Sequence, residues 1–525
     1  MKYFNTAGPC VPELHYMLPP EPRLPEARQL VEEGMYLVVH APRQTGKTTT
    51  LRALAQQLTA EGRWAAVHFS CETGEPAGDN YLGAQDAVLL AIRESAAALP
   101  AELRPPDPWP DAPAEGKLSV ALSAWARTCP RPLVLFFDEI DSLRGESLRS
   151  VLRQLRDGYA RRPDAFPTTA VLCGLRDVRD YKAAAGGDPA RLGTASPFNV
   201  KVASLRLADF TEADLGTLYA QHTAETGQVF HKEALVRAWA YTAGQPWLVN
   251  ALAREVIREM RVPVAEPITA AHIDTAKERL ILARATHLDS LVARLYEPRV
   301  RRIIAPLIAG DPLIPDPAFD DDLTYVRDLG LVAPGMPVRV ANPIYREVIV
   351  RVLGTATEAN ITAEPRTFVR ADGRLDFDKL LREFSDFWRA HADVLTSGEA
   401  YHEVSPQLVL MAFLHRLVNG GGFIDREYGV GRGRIDLLVR WPYQDEQGRR
   451  VTQRQAVELK VWRKGRPDPL AEGLTQLDEY LRRLDLDEGT LVVFDRRPDA
   501  PSIDDRIRFE STVTSTGRKV MVLRA

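Results

Sequence analysis

Met35–Thr50 reads MYLVVHAPRQTGKTTT, and it decides the fold of the first half of the chain. Met35 to His40 form an apolar run of strand length, and KTTTLRALAQQLTAEG from Lys47 carries helical spacing. The turn between them is Ala41-Pro42-Arg43-Gln44-Thr45-Gly46. A tight strand-to-helix turn aims successive backbone N–H groups inward, where they wrap a phosphate. Gly46 allows close backbone approach, Lys47 supplies a cation, and Thr48 supplies a hydroxyl for Mg²⁺; the helix N-terminus that holds Thr48 and Thr49 adds positive potential. Ala41 stands where such loops usually have their first glycine, and it fits only with a backbone open to a Cβ.

Outward from this stretch, short apolar runs alternate with amphipathic helices. The runs are WAAVHFS (64–70), LVLFF (133–137) and TTAVLCG (168–174), and the helices include PEARQLVEEG and LRSVLRQLRDGYAR. That alternation predicts βαβ units and a parallel sheet covered on both faces. LVLFFDEID carries Asp138 out of a buried strand, where it can hold Mg²⁺ through water. Glu139 follows as the candidate base that orients an attacking water. The lead-in 1–25 is proline-rich and reads as extended. From about 206 the strands stop. Thr211 is expected to cap a helix with Leu215, Leu218 and Tyr219 as its apolar stripe, and two more helices break at Gly244-Gln245-Pro246. Residues 286–355 read as helices, then two short strands around a Pro-Gly turn in LGLVAPGMPVRVANP, then a last helix; residues 355–372 read as a linker.

The chain has 525 residues, which at ~150 per domain suggests three or four domains. At 45% hydrophobic and 26% charged, it holds enough apolar content for several cores and is not a disordered chain. A net charge of −4 excludes a global basic field, though not a local one. Cys10, Cys71, Cys129 and Cys173 show no C-x-x-C spacing, which argues against a disulfide framework or a structural zinc site. The start MKYFNTAGPC lacks the apolar core of a signal peptide, and no apolar run approaches the ~18 residues of a membrane span. The expectation is a cytoplasmic protein with no membrane partner.

These motifs resemble AAA-like P-loop ATPases of the STAND type, with a helical lid and a winged helix, over roughly residues 1–355. The resemblance implies ATP and Mg²⁺ as ligands, with Arg43, Gln44, Thr45, Gly46, Lys47, Thr48 and Thr49 around the phosphates. It implies further that GPCVPELHYMLPPEPRL, with Arg23, lies near the adenine, and that VLCGLRD ends in a phosphate-sensing Arg176. Ala243-Gly244-Gln245-Pro246 resembles the lid motif whose proline packs on the base. Pro246 reads equally as an ordinary first helical residue, and Arg176 as a surface ion-pair residue. Arg301 and Arg302 in YEPRVRRII read as a solvated face.

The C-terminal segment holds a second constellation. GRGRIDLLVRW is a turn and a strand carrying Asp436, and RQAVELKVWRKG is a strand ending near Glu458, Leu459 and Lys460. Residues two apart share a strand face, so Glu458 and Lys460 point the same way, and pairing the strands brings Asp436 to them. Two carboxylates and the carbonyl of Leu459 make a hard oxygen site for Mg²⁺, with Mn²⁺ a second candidate occupant. Lys460 is placed to orient water or to neutralise charge on a phosphate. The arrangement resembles the PD-(D/E)XK nuclease superfamily over roughly 375–510, although Ile435 replaces the usual proline before the first Asp. The resemblance adds Glu403, opening the helix SPQLVLMAFLHRL, and Gln476 in GLTQLDEYLRRL, after which TLVVFD is expected to complete the core. Glu399 competes with Glu403. Arg432, Arg434, Arg463, Lys464 and Arg466 are candidates for tracking phosphates, whereas Trp441 and Trp462 read as core or rim aromatics. Only eleven of 67 basic residues are lysines, and Lys47 and Lys460 stand where each chemistry requires a cation.

The fold class expected is therefore α/β multidomain: a P-loop parallel α/β ATPase core (1–205), a helical lid (206–285), a winged-helix-like domain (286–355), a linker (356–372) and a restriction-endonuclease-like α/β domain (373–525). The function expected is an ATP-binding and hydrolysing regulator coupled to a metal-dependent nuclease acting on nucleic acid, DNA in the first instance. The resemblance points toward defence or mobile-element control and leaves room for a homo-oligomer or a protein partner. Two alternatives stay open: a nucleotide-switched signalling or DNA-binding scaffold whose nuclease fold is silent, and a DNA-binding regulator acting through the winged helix.

Overall fold

A computed structural model describes residues 1–19, 21–175, 200–283, 286–308, 320–358, 368–397, 409–411, 413–414, 418, 422–430, 433–497 and 499–525. The chain divides into two compact units, Met1–His287 with Thr324–Ala333, and Leu288–Leu323 with Pro334–Ala525.

In the first unit, five parallel strands are β1 (Tyr36–His40), β2 (Ala65–Ser70), β3 (Leu133–Asp138), β4 (Thr169–Gly174) and β5 (Lys201–Arg206), in the order β2-β3-β4-β1-β5. The helices are α1 (Pro25–Glu32), α2 (Lys47–Ala60), α3 (Tyr81–Ala96), α4 (Lys117–Thr128) and α5 (Gly145–Gly158). Strand periodicity splits the core in two. Tyr36, Val38, Leu135 and Phe137 pack on one face with α3, α4 and α5, and Leu37, Val39, Val134 and Phe136 pack on the other with α1 and α2. Each fully buried side chain of this kind contributes about 1.5–3 kcal/mol. β5, which lies beside β1, was not expected from the sequence.

The helices after the sheet are α6 (Glu212–Thr226), α7 (Lys232–Thr242), α8 (Pro246–Arg254) and α9 (Ala270–Leu282). Thr211 caps α6 as expected: its hydroxyl accepts from the Asp214 N–H at 3.1 Å, and Asp214 accepts from the Thr211 N–H at 2.8 Å. Leu215, Leu218 and Tyr219 are buried. Between α7 and α8, Gly244 adopts φ +81, and a Cβ there would stand 2.0 Å from the Phe210 carbonyl oxygen.

Two expectations for 286–372 need correction. The helices α10 (Thr286–Arg294), α11 (Pro298–Ile308), α12 (Asp321–Asp328) and α13 (Pro343–Glu358) are present. Between α12 and α13, however, only single bridge residues at Val332 and Val340 occur in place of two short strands. Pro334 and Pro337 deprive this stretch of backbone donors, which works against a ladder. Thr324–Ala333, within the segment expected to be winged-helix-like, belongs to the first unit, where Gly330 packs on Pro42. Arg302 is tied to Asp320 and to Asp322, at 2.5 and 2.7 Å. The expected linker is helical to Glu358, and at its other end Phe368 is buried and Val369 bridges Leu375.

The second unit holds β6 (Phe423–Val430), β7 (Gly433–Gln444), β8 (Arg450–Trp462), β9 (Glu488–Asp495), β10 (Arg508–Val513) and β11 (Lys519–Arg524), in the order β10-β11-β9-β8-β7-β6. β6, β7 and β8 form an antiparallel meander, β8 runs parallel to β9, and β9 runs parallel to β11. TLVVFD therefore does not complete the core, since β11 and β10 continue the sheet beyond it. Leu491 and Val493 of β9 pack under α15 (Leu470–Leu484), which buries Leu477 and Leu481. The alternate residue Phe494 meets Phe384 and Trp388 of α14 (Phe377–Ser397), with ring centroids 6.3 and 5.9 Å away. α14 buries Phe377, Leu380, Leu381 and Phe384.

Replacing Gly244 by Ala forces a left-handed backbone on a residue with a Cβ and drives it into Phe210. We expect a loss of about 2 kcal/mol, read as a lowered first transition in thermal unfolding followed by tryptophan fluorescence.

Candidate functional site

The loop after β1 lies at the C-terminal edge of the parallel sheet, the edge at which β3 delivers its acidic residues. Its left-handed residues are Gln44 (φ 58) and Gly46 (φ 87), and Ala41 is not among them, so alanine is accommodated there. Thr45 is buried and its hydroxyl donates to the Pro42 carbonyl, closing the turn. Lys47 Nζ donates to the carbonyls of Ala41 and Pro42 at 2.8 and 2.9 Å. Arg43 is exposed, and the Thr49 hydroxyl accepts from the Cys10 N–H at 3.0 Å.

Asp138 is 1% exposed. Its Oδ2 accepts from the Thr48 hydroxyl at 2.7 Å and from His68 Nε2 at 3.0 Å, and its Oδ1 accepts from the Glu139 N–H at 3.0 Å. Burial pushes its pKa up, but the bonds from His68 and Thr48 outweigh that and leave it below the usual value. Glu139 sits at φ 53, and its Oε2 accepts from the Ser70 hydroxyl at 2.5 Å. Burial raises its pKa, Ser70 opposes the rise and Asp138 adds to it. Thr48 and Asp138 thus present adjacent hard oxygens, the donor set that Mg²⁺ prefers. Sequence reasoning missed His68 and Ser70. The available signal was two polar residues at alternate positions near the end of an apolar strand.

A cavity of about 130 Å³ opens beside the loop, lined by Met17, Leu18, Gly46, Phe210, Pro246 and Trp247 among others. The lead-in is stitched to the helices after the sheet: Trp247 Nε1 donates to the Thr6 carbonyl at 2.8 Å, and Tyr16 donates to Glu225 at 2.7 Å. Pro246 both starts α8 and lines the cavity, so the two readings of that residue are compatible. Arg23 lines it too, but its guanidinium donates to the carbonyls of Thr45 (2.7 Å) and Ala208 (2.6 Å) and lies 4.9 Å over the Phe210 ring. Arg23 therefore rivets the loop to the segment after β5, and burial lowers its pKa to about 10. Arg176 lies outside the described residues.

In the second unit, β7 and β8 are antiparallel neighbours whose ladder stops at Leu437–Val457. Just beyond, the Leu459 N–H donates to Asp436 Oδ2 at 2.8 Å, and the carbonyl of a strand residue leaves on the same edge as its N–H. Lys460 Nζ donates to Glu458 Oε1 at 3.0 Å and to Gln476 Oε1, and Glu472 lies 3.7 Å from it. The structure brings Asp436, Glu458, Leu459, Lys460 and Gln476 together. Glu472 is an addition, legible only once the i,i+4 pair Glu472–Gln476 is set against Lys460. Glu403, Glu399 and Arg432 lie outside the described residues. Trp441 is buried and donates to the Gly373 carbonyl, and Trp462 donates to the Arg466 carbonyl and is covered by Arg497, so both are core or rim groups.

Glu458 Oε2 is buried and, among the described residues, has no hydrogen-bond partner. An orphaned buried carboxylate oxygen beside Asp436 and the Leu459 edge fits a divalent ion. Among the described residues no group of three or more His, Cys, Asp or Glu side chains is placed to hold a metal, so this donor set rests on two carboxylates and a backbone carbonyl. The described cysteines are all free, and no described helix is long and apolar enough to cross a membrane.

No family model matches the sequence, and no curated protein matches it. Solved structures similar in part include a Walker-type ATPase of Pyrococcus abyssi at 13% identity and TM-score 0.43, covering 66% of this chain and 99% of that one. The Thermotoga maritima RuvB Holliday junction branch migration motor aligns at 14% identity and TM-score 0.33, covering 62% and 92%. Cdc6p from Pyrobaculum aerophilum aligns at 11% and TM-score 0.35, covering 64% and 94%. Superpositions this loose assign neither family nor activity.

Burial pushes the Glu458 carboxyl up to about 7, Asp436 adds to the rise and Lys460 opposes it. The folded chain then keeps a proton that the unfolded chain releases near 4.5, so this contribution to stability is full below that pH and is lost as pH rises through about 7. In EDTA, the parent is expected to lose more thermal stability than Glu458→Gln between about pH 5 and about pH 7.5. Parallel melting curves across that window contradict the assignment.

Proposed function

We propose that the chain is an ATP-binding and hydrolysing regulator joined to a metal-dependent nuclease that acts on DNA, working in the cytoplasm. For the first unit, the support is Lys47, Thr48, Asp138 and Glu139 at one sheet edge beside a cavity walled by the lead-in and the lid. Lys47 exchanges the carbonyls of Ala41 and Pro42 for phosphate oxygens, and the loop N–H groups hold the same phosphates. Thr48 and Asp138 would hold Mg²⁺, which neutralises charge on the β- and γ-phosphates. Glu139 accepts the proton of the water that attacks the γ-phosphorus as the bond to the ADP oxygen breaks.

For the second unit, the observation that carries the reading is the unpartnered Glu458 Oε2 beside Asp436 and Lys460. Asp436, Glu458 and the Leu459 carbonyl would hold Mg²⁺ or Mn²⁺, which lowers the pKa of a water for attack on phosphorus. Lys460 offsets negative charge on the phosphodiester, and Gln476 fixes the ammonium in place. Arg463, Lys464 and Arg466 follow β8 and supply cationic charge for the strand backbone. The helices of 286–355 are proposed to serve as a winged-helix element, and control by nucleotide is tested directly by cleavage with and without ATP.

Lys47→Ala is expected to abolish binding of a fluorescent ATP analogue, whereas Glu139→Gln keeps binding and loses phosphate release by about 100-fold or more. Parental turnover in Glu139→Gln removes the assigned base.

Asp436→Ala and Lys460→Ala are each expected to lose Mn²⁺-dependent cleavage of plasmid and single-stranded DNA by about 100-fold or more. A parent that binds DNA but cuts nothing with ATP, with ADP or without nucleotide leaves the scaffold reading in its place.

A further inference from the structure

Asp138 has a partner that belongs to neither the phosphate loop nor the acidic strand. His68 lies on β2 opposite Phe136 of β3, two residues before Ser70, and it is largely buried. Its Nε2 is 3.0 Å from Asp138 Oδ2, the oxygen that also accepts from Thr48. An ionised carboxylate only accepts, so the imidazole proton sits on Nε2. The Thr48 hydroxyl is itself a candidate ion ligand, so its bond to Asp138 is not a fixed support. The Glu139 N–H holds Oδ1. His68 donates to Oδ2 from the neighbouring strand β2, and the Cys173 thiol on β4 also hydrogen-bonds the carboxylate.

We propose that His68 is a positioning residue: its Nε2–H fixes the orientation of Asp138 and thereby sets how strongly nucleotide binding depends on Mg²⁺. The inference rests on the reading of Thr48 and Asp138 as the Mg²⁺ holders. Groups that hydrogen-bond a metal-binding carboxylate typically change metal affinity by about 10–100-fold when removed. The hydrogen bond, and not the ring, is the operative feature.

The test is binding of a fluorescent ATP analogue to the full chain at one pH, titrated with Mg²⁺ and repeated in EDTA. His68→Leu is expected to raise the Mg²⁺ midpoint about tenfold or more and to leave binding in EDTA at the parental level. His68→Gln, whose amide N–H reaches the place of Nε2, is expected to return the midpoint to within about threefold of the parent, whereas His68→Asn, whose amide matches Nδ1, is not. An unchanged midpoint in His68→Leu overturns the proposal, and so does an equal fall with and without Mg²⁺, which marks a purely structural role. Where circular dichroism shows that His68→Leu does not fold, the Gln and Asn variants decide, and equal midpoints overturn it. A parent that binds no nucleotide under either condition defeats the underlying nucleotide reading and the proposal together. A parent with Mg²⁺-dependent binding that is indifferent to His68 defeats the proposal alone.

Discussion

The first unit is organised around a charge that has no water. Asp138 ends a strand whose other residues, Leu133 to Phe137, are all apolar and buried. An ionised carboxylate in that setting carries a penalty of several kcal/mol unless donors surround it. Three of the donors are Thr48 on the helix after the loop, His68 on β2 and the N–H of Glu139, and the Cys173 thiol on β4 is a further one. Supplying the first three requires the loop, β2 and β3 to meet at one height along the sheet. The pairing of Ser70 with Asp138 and of His68 with Phe136 achieves this. It also brings the Ser70 hydroxyl to Glu139, so both acidic residues are held from the same strand.

The second unit handles its buried acid differently. Glu458, 3% exposed, has one oxygen on Lys460 and, among the described residues, no hydrogen-bond partner for the other. With few donors and with Asp436 nearby, its charge is disfavoured, in contrast to Asp138, which its partners keep ionised. Lys460 is shared among Glu458, Gln476 and the more distant Glu472. Described protein groups satisfy one acid, and they leave an oxygen of the other without a donor. That difference in electrostatic completeness separates the two candidate sites more clearly than their folds do.

Much of this was legible in the chain. Strand and helix periods placed β1 to β4 and the helices after the sheet, and Thr211 announced its cap, because each rests on short-range chemistry. The convergence of Asp436, Glu458 and Lys460 followed from period-two geometry on neighbouring strands. What escaped depended on long-range pairing. KVASLR becomes β5 only by lying against β1, and β11 is a strand because β9 offers it an edge. The turn after α12 looked like a hairpin by composition, yet its prolines leave too few donors for a ladder. His68 and Ser70 were invisible as site residues because their role exists only across the gap between β2 and β3. Arg23 was assigned toward the ligand, but the carbonyls of Thr45 and Ala208 claim its guanidinium.

The strand order has a mechanical corollary. β1, which launches the Ala41–Gly46 loop, is gripped on both sides by β4 and β5, whereas β2 lies at the border of the sheet, with β3 as its strand neighbour among the described residues. The anchored strand bears the loop, and the outermost one bears the imidazole and hydroxyl that steady the acids. A slide of that outer strand by a fraction of an ångström would detune the acidic pair while leaving the loop undisturbed, so the loop and the acids are separable degrees of freedom.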